Sequence, residues 1–244
     1  MSASIVPPRT AAETALLEAY SNVKPRLPGT AAVAKLRQAA FDLFSKAGLP
    51  HRRIETWHYT DLRNLMREAL PLAPVPSADA LASLGNEMRG KLPPQSLVLV
   101  DGVFAKDLSS PLPKGVTVTS LASALAEGRS DIVAALSADW SGTKDSIVAL
   151  NAAMMQDGVV IEIAPGTKIE EPIRLIYATV SKAPAARFSR SLLIVGKGAS
   201  VVFNEESFGK GARTGQTNNA LVIVADDDAN LVHTFASTDT QAGS

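Results

Sequence analysis

The sequence of 244 residues contains no cysteine. This absence excludes disulfide bonds, a cysteine nucleophile and zinc fingers with cysteine ligands. It also excludes any metal cluster that would be held by thiolates of this chain alone. Chemistry that needs thiolates would therefore require a second chain.

The chain also lacks a surplus of charge. Lys and Arg together number 24, and Asp and Glu together number 24, so the formal net charge is zero. Broad binding to nucleic acid or to an anionic membrane needs an excess of cations, so we expect neither as a partner. A local basic patch stays compatible with this balance.

Long apolar runs are missing as well. The longest, such as "ALVIVA" at 220–225, are far shorter than the roughly 18 residues needed to cross a bilayer. The N-terminus has no apolar run behind a basic start, so no secretory signal is predicted. The sequence is nevertheless 46% hydrophobic, which is enough to form a core. We expect a soluble cytoplasmic protein with one large domain or two small ones.

The first half of the chain has the periodicity of helices. Thr10 and Glu13 form a capping-box pattern at the start of the first helix, and Gly48 is a suitable stop for the second. Pro71 is expected to end the third. The predicted helices are 10–21, 30–47, 61–70 and 120–136. Residues 96–104, "SLVLVDGVF", predict a β-hairpin with an Asp-Gly turn.

From about residue 157 the pattern changes to short apolar strands separated by Gly or Asp corners. The first strands end at Ile163, Val195 and Val224, the corners contain Gly166, Gly198 and Asp228, and the second strands begin at Ile169, Val201 and Leu231. The corners recur at a nearly constant interval, which favours a β-solenoid. A β-sandwich with evenly spaced hairpins is the alternative.

A solenoid has an end that must be covered, because each coil buries its face only against its neighbours. The last predicted strand is followed by "TDTQAGS" at 238–244, with no helix to cover it. We therefore expect that another chain covers this end, or that the sequence is an incomplete form of a longer one.

The segment "RRIETWHYTDLR" at 52–63 is unusually rich in reactive side chains. On a helix, His51, Glu55 and His58 would lie near one face, which suggests a metal site. The spacing differs from H-E-x-x-H, and Pro50 disfavours a continuous helix. The alternative is a structural junction, in which the large aromatic side chains of this segment are buried and its acids pair with arginines.

Other candidate sites are weaker. His233 lies in an apolar strand and is expected to share a face with Leu231 and Phe235, as a core or interface histidine. The segments "GKGASVV" at 196–202 and "SFGKGARTGQT" at 207–217 do not match phosphate-binding loops, and the second is interpreted as a surface loop. The acidic run 226–228 lacks the spaced ligands of a calcium loop. No catalytic residue and no enzymatic activity are predicted.

Two stretches resemble the SufB/SufD family, in particular SufD-like proteins. "ETWHYTDL" at 55–62 resembles the family signature E-x-W-[KR]-Y-T-[DN]-[LP], with His58 in place of the usual Lys or Arg. "ALNAAMMQDGVVIEIAPGTKIEEPIRLIYAT" at 149–179 resembles the passage by which the family enters its β-helix. The matching fingerprint residues are Glu55, Trp57, Tyr59, Asp61, Asp157, Gly158, Pro165, Gly166 and Pro172.

The resemblance implies mixed α and β structure in three parts. These are an N-terminal helical region at 1–95, a helix and hairpin connection at 96–150, and a right-handed parallel β-helix at 151–244. Since family members are much longer, the β-helix is expected to be incomplete, without the C-terminal part of the family.

The resemblance also implies a function. The protein would be a non-catalytic scaffold subunit of the Suf iron–sulfur cluster assembly complex, pairing with a SufB-like subunit and a SufC-like ATPase. Iron or an iron–sulfur cluster would bind only within such a complex and not to this chain alone. A homodimer is left open. The alternatives are a β-solenoid carbohydrate-binding or lyase-like module, and a fragment without independent function.

Overall fold

The computed structural model describes residues 8–141, 145–208 and 215–236. It is a mixed α and β protein in which most of the helices come first and the parallel strands follow. The predicted tail 238–244 and much of the predicted loop 207–217 lie outside the described residues. The helices are α1 Ala11–Val23, α2 Ala31–Ala47, α3 Leu62–Leu65, α4 Ala78–Met88, α5 Leu121–Ala126, α6 Ser130–Ser141 and α7 Ser146–Met154.

Helix α1 begins with the capping box that the sequence predicts. The Glu13 backbone N–H donates to the Thr10 hydroxyl at 3.1 Å, and the Thr10 N–H donates to the Glu13 carboxylate at 2.7 Å. The same carboxylate also accepts the Leu49 N–H at 2.9 Å. One acidic side chain therefore caps α1 and holds the chain just after α2, which ends at Gly48 as predicted.

Arg37 connects α2 to the end of α7. Its buried guanidinium donates to the carbonyl oxygens of Ala153 at 3.1 Å and Met155 at 2.7 Å. Burial lowers the pKa of Arg37 to about 10, so the group stays charged at neutral pH. The charge is thus solvated by backbone carbonyl groups instead of a carboxylate.

Two helix predictions are wrong in extent. The helix predicted at 61–70 consists only of the four residues of α3, because the chain then runs in an extended form beside residue Ala186. The Ala73 N–H donates to the Ala186 oxygen, and the Ala186 N–H donates to the Pro71 oxygen, both at 2.8 Å. The helix predicted at 120–136 is two helices, α5 and α6, separated at Gly128, where φ is +71°.

The strands form two sheets. They are β1 Ser96–Val100, β2 Val103–Phe104, β3 Val116–Ser120, β4 Val159–Ile163, β5 Ile173–Ala178, β6 Ala186–Val195, β7 Ser200–Phe208, β8 Gln216–Ala225 and β9 Asn230–Ala236. The first sheet has the order β2-β1-β5-β7-β9 and the second has the order β3-β4-β6-β8. From β4 onward, successive strands alternate between the sheets. From β6 onward, each strand pairs in parallel with the strand two places earlier. The predicted hairpin is confirmed as β1 and β2.

The corners between the sheets stack on one another. Gly166, Gly198 and Asp228 all have positive φ, at +70°, +65° and +58°. The Gly166 N–H donates to the Lys197 oxygen at 2.8 Å, and the Gly198 N–H donates to the Asp227 oxygen at 2.9 Å. The three corners predicted from the sequence are therefore equivalent positions.

One predicted strand start is wrong. The strand expected to begin at Ile169 begins at Ile173 instead. Lys168 forms only an isolated bridge with Ser200, and Pro172 comes directly before the strand. Proline cannot donate to a sheet ladder, which is consistent with the later start.

The apolar core has three parts. One lies between the two sheets and includes Leu97, Ile161, Leu193 and Phe203. A second lies between the helices and the other face of the second sheet. The third lies between α4 and the outer face of the first sheet, where Val98 and Ile176 are buried. The α-helices thus cover one face of each sheet.

Candidate functional site

The outermost described strands of the two sheets, β8 and β9, form what we call the open edge. Four large apolar side chains are exposed there, with exposed fractions of 38% for Ile223, 40% for Val224, 51% for Val232 and 63% for Phe235. Several exposed aliphatic and aromatic side chains on the outermost strands are typical of an interaction surface.

The sequence of the open edge does not oppose strand pairing. Strands β8, "QTNNALVIVA", and β9, "NLVHTFA", contain no Lys, Arg or Pro. Natural proteins commonly place such residues on exposed edge strands to prevent contact with other chains. The opposite ends of the same sheets finish in antiparallel pairs, β1 with β2 and β4 with β3. The open edge is therefore the side of the sheets that is suited to pairing with further strands.

Three polar side chains meet on the first sheet beside the open edge, and we call them the Tyr–Glu–His cluster. The Tyr177 hydroxyl on β5 donates to Glu205 on β7. His233 Nε2 on β9 lies 2.8 Å from the other carboxylate oxygen of Glu205. The His233 ring also packs near Phe203, with ring centroids 6.1 Å apart. His233 is thus an edge residue with a carboxylate partner, which sequence reasoning did not identify.

The electrostatics of this cluster are unusual. Only 8% of the Glu205 side chain is exposed, whereas 33% of the His233 side chain is exposed. Among the described residues, no Lys or Arg lies within ion-pair distance of Glu205. Burial, and then the neighbouring Glu205 carboxylate, raise the pKa of Tyr177, so its phenol stays protonated and acts as a donor.

A sequence signal for this cluster lies in its spacing. Tyr177, Glu205 and His233 follow one another at equal intervals along the chain. Residues that pair across these strands, such as Ile173 with Phe203 and Phe203 with His233, are two positions further apart in the sequence than neighbouring members of the cluster. Such a side chain lies diagonally across from its neighbour on the same face. The equal spacing can be recognised as a sign of contact only when the pairing register of the strands is known.

Asp157, a fingerprint residue, joins three parts of the chain. One carboxylate oxygen accepts from the Ser120 hydroxyl and the Ala122 N–H, each at 2.9 Å. The other oxygen accepts from the Phe104 N–H at 3.0 Å. This buried side chain therefore holds β2, the end of β3 and the start of α5 at one point.

Gly158 makes room for the neighbouring strand. A β-carbon at this position would lie 1.9 Å from the Arg190 carbonyl oxygen. The Gly158 carbonyl accepts from the Leu121 N–H at 3.0 Å. Because backbone atoms of β6 occupy the space, only glycine fits, and the Asp-Gly pair is a structural joint in this fold.

A buried ion pair connects the two sheets. Arg187 on β6 donates to the Asp101 carboxylate at 2.6 Å, and both side chains are almost fully buried. Asp101 lies in the β1–β2 turn with φ of +48° and also accepts from the Ser181 N–H at 3.0 Å and hydroxyl at 2.7 Å. These extra donors help to compensate for burying the carboxylate.

The first fingerprint stretch is a junction, with two of its residues in structural roles. Trp57 donates its indole N–H to Asp145 at 3.0 Å, and Asp145 caps α7 by accepting from the Ile147 N–H at 2.8 Å. Asp61 caps α3 and lies 3.5 Å from Arg52. Trp57 also lines an open groove of about 520 Å³ that reaches the start of β8.

The other expectations for this stretch are not met. Tyr59 is 97% exposed and is therefore not a packing residue. Glu55 is exposed in the short 3₁₀ turn Glu55–Trp57, and it forms no ion pair with the described residues. His51 accepts from the Arg53 N–H at 3.2 Å, while His58 is exposed. Because the segment turns through 3₁₀ geometry, the helical face that would have gathered His51, Glu55 and His58 does not form.

The remaining fingerprint residues lie at the first corner between the sheets. Pro165 and Gly166 directly follow β4, and Pro172 directly precedes β5. The backbone nitrogen of Pro165 would lie 2.7 Å from a β-carbon at Gly196, so the stacked corners approach closely here. These residues shape the turn and carry no reactive group.

Metal-binding groups of three or more His, Cys, Asp or Glu side chains do not occur in the parts of the chain that the structure describes. None of the described helices has the length and apolar character needed to cross a membrane.

The fold is that of a mixed α and β protein with two sheets. Each repeat of the sequence pattern adds one parallel strand to each sheet. A family profile described as the SufBD protein N-terminal region matches residues 12–175. The chain belongs to the SufBD family, as its two fingerprint stretches indicated.

A relative from Synechocystis sp. has a name that places it in the same family. It is called an iron–sulfur cluster assembly SufBD family protein, and it is 31% identical over 175 residues. The aligned part covers 71% of this chain and 38% of the relative. The match therefore concerns only a part of that protein's length.

Proposed function

We propose that this chain acts as a non-catalytic, SufD-like scaffold subunit in iron–sulfur cluster assembly. Membership of the SufBD family is the observation that carries the proposal, and the name of the Synechocystis relative supports a role in iron–sulfur cluster assembly. The absence of cysteine is compatible with a subunit whose partner supplies the thiolates. In this role the chain pairs with a SufB-like subunit and a SufC-like ATPase.

We further propose that strands β4 to β9 form successive coils of a right-handed parallel β-helix. The alternation of strands between two sheets supports this architecture. So do the regular registers, in which Val160 pairs with Leu192, and Ser200 pairs with Asn230. Each coil contributes one strand to each sheet and one stacked corner.

The open edge is the contact surface in this proposal. Its exposed apolar side chains, and the outer edges of the last described strands, suit a partner that adds strands to both sheets. We place the SufB-like subunit there, because that surface lacks the Lys, Arg or Pro residues that would discourage strand pairing.

Co-purification tests the scaffold proposal. The tagged chain is expressed with SufB-like and SufC-like subunits from the same source, and each is expected to be retained in a stable complex. A variant with Val232→Lys and Phe235→Lys should lose the SufB-like subunit, since two cations on the edge oppose pairing. Val75→Lys is the matched control, because Val75 is 74% exposed outside the open edge. Failure of the unaltered chain to retain either subunit contradicts the proposal.

The carbohydrate-binding alternative receives no comparable support. Such a module would present an aromatic stripe or an acidic groove. Among the described residues, the strongly exposed aromatic side chains are Tyr59 and Phe235, which lie on different elements. The groove beside Trp57 is lined by apolar, hydroxyl and amide side chains.

A further inference from the structure

The segment that connects α3 to α4 is extended and rich in proline. Residues 66–77 contain no helix, turn or bend. We call residues 70–76, "LPLAPVP", the proline ridge. Its first two prolines, Pro71 and Pro74, are three positions apart and give the pattern P-x-x-P. This pattern is typical of segments that other proteins recognise in the polyproline II conformation.

The covalent structure of the proline ridge fixes most of its backbone. A proline ring holds its own φ near about −65°, and the residue before a proline is kept out of the helical region. These restrictions apply to the three prolines and to Leu70, Ala73 and Val75, which precede them. The remaining residue, Leu72, forms an isolated parallel bridge with Ala186. The ridge therefore loses little conformational entropy when it binds a partner.

Both ends of the proline ridge are attached to the fold. The Leu70 N–H donates to a side-chain oxygen of β8 at 2.9 Å, and the Ala73 N–H donates to a carbonyl oxygen of β6 at 2.8 Å. At the other end, the Ser77 hydroxyl caps α4. The residues 74–76 between these anchors are thus held in place without covering each other.

The burial of the proline ridge follows the three-residue repeat of polyproline II. Ala73 is only 4% exposed, and Pro76, three positions later, is partly buried. Pro71 and Pro74, which are also three positions apart, are both exposed. Val75 is 74% exposed on a further face. One face of the ridge therefore packs on the protein, and the face with the two prolines is open to solvent.

We propose that the proline ridge is a docking site for a protein domain whose groove is lined by aromatic side chains. The rings of Pro71 and Pro74 pack against the aromatic rings of that groove, and the Val75 side chain packs beside them. Burial of these exposed apolar groups supplies the favourable free energy, and the fixed backbone lowers the entropic cost. No covalent step is involved.

This inference goes beyond the scaffold proposal. The proline ridge is not part of β8 or β9, and its partner binds by packing on prolines instead of adding strands to a sheet. Binding at the ridge can therefore be measured on the chain alone. Its outcome is independent of whether the chain retains SufB-like and SufC-like subunits.

Nuclear magnetic resonance tests the inference with two probes. The full chain, unlabelled, is added to a nitrogen-15-labelled SH3 domain and, in a second titration, to a labelled WW domain. Both kinds of domain bind proline-rich segments in aromatic-lined grooves. We expect the amide signals around the groove of at least one probe to shift and to saturate, with a dissociation constant below about 1 mM.

Variants assign the contact to the proline ridge. Pro71→Ala combined with Pro74→Ala should weaken binding by roughly tenfold or more, and Val75→Ser by roughly threefold, because apolar contact area is lost. Pro111→Ala combined with Pro113→Ala is the matched control, since it also removes two prolines but from a segment without the P-x-x-P spacing. The control should leave the titration unchanged. Circular dichroism reports whether each variant is folded.

Two outcomes overturn the inference. One is that the unaltered chain shifts the groove signals of neither probe. The other is that the variant without Pro71 and Pro74 binds as tightly as the unaltered chain. Either result leaves the ridge as a semi-rigid spacer between α3 and α4. If the double variant fails to fold, Val75→Ser decides alone, because this exposed side chain can be changed without disturbing the core.

Discussion

Strands β6 and β8 pair along ten positions, yet they lie in different environments. Nine of the ten residues of β6 are buried, whereas only Val222 is buried in β8. The paired residues Leu193 and Ile223 illustrate the contrast, with exposed fractions of 0% and 38%. Both strands are equally aliphatic near their ends, so the number of neighbouring strands, and not the local sequence, sets the burial. The inner part of the sheets is buried on both sides, whereas β8 is largely exposed among the described residues.

The largest effect should come from Gly158, which lies in the inner part. Gly158→Ala places a methyl group against the Arg190 carbonyl, and we expect a loss on the order of 5 kcal/mol in the free energy of unfolding, or no folded protein. Gly166→Ala is the control, since a β-carbon there meets nothing within 4 Å and only the positive φ is unfavourable. Denaturant unfolding measures both, and equal losses would contradict the close-approach explanation.

The second-largest effect should come from the buried ion pair. Arg187→Met leaves Asp101 buried without its cation, and we expect a loss of about 3–5 kcal/mol in the free energy of unfolding. Arg174→Met serves as control, because Arg174 lies 3.6 Å from the more exposed Glu206. Thermal and denaturant unfolding should show a smaller loss for this control, because Glu206 keeps contact with solvent after the change. A similar loss of stability in both variants would mean that the burial of the ion pair does not determine its contribution to the free energy of unfolding.

The paired strands themselves give the most direct test of the comparison. Leu193→Ala should cost about 3 kcal/mol, because it creates a cavity between the two sheets. Ile223→Ala, at the paired position on β8, should cost about 1 kcal/mol in the chain alone. In the complex with a SufB-like subunit, the loss of stability caused by Ile223→Ala should be larger if the partner buries the Ile223 side chain. An unchanged loss in the complex would mean that the interface lies elsewhere.

The smallest effect concerns an ion pair beside β4. The Arg129 guanidinium donates two hydrogen bonds to Glu162 and lowers the pKa of that carboxyl group. A lowered pKa in the folded state stabilises the protein above the usual pKa of glutamate, and this contribution is lost as the pH falls through the lowered value. Since both side chains are about one third exposed, the contribution is at most about 1 kcal/mol.

A pH series tests that expectation. Glu162→Gln should destabilise the chain slightly at pH 7, and the difference from the unaltered chain should shrink as the pH falls below the usual pKa of glutamate and through the lowered pKa of Glu162. Asp227→Asn, which removes a widely exposed partner of Lys197 near the open edge, should have no measurable effect at either pH. A larger effect from Asp227→Asn would contradict the view that the open edge adds little to stability.

Local signals in the sequence predicted local structure well. The capping box at Thr10, the Asp-Gly hairpin and the three corners are each encoded by a few neighbouring residues with strong conformational preferences. Helix α4 was not predicted, although Leu81, Leu84 and Met88 have helical spacing, because a proline-rich run comes just before it. Strand β3 was also not predicted, and it depends on pairing with β4.

Nonlocal contacts limited the prediction of the site. The fingerprint stretch at 55–62 suggested a site because it concentrates reactive groups, yet Tyr59 and Glu55 are exposed and the metal-binding face is not formed. Glu205 was not predicted as a site residue, because its two partners are distant from it in either direction along the chain. The family resemblance, in contrast, could be recognised from the sequence, because it depends on the order of short motifs and not on how the strands pair.

The position of β1 has a consequence for folding. Ser96 pairs with Arg174, which lies far along the chain, whereas Ile173 pairs with Phe203 in the next sequence repeat. Contacts between distant residues form slowly because closing the long loop costs entropy. During synthesis β1 must therefore wait until β5 has emerged, with α4 as the neighbour that can shield its apolar face in the meantime. The first sheet therefore joins a hairpin made early in synthesis, β1 with β2, to strands that emerge much later.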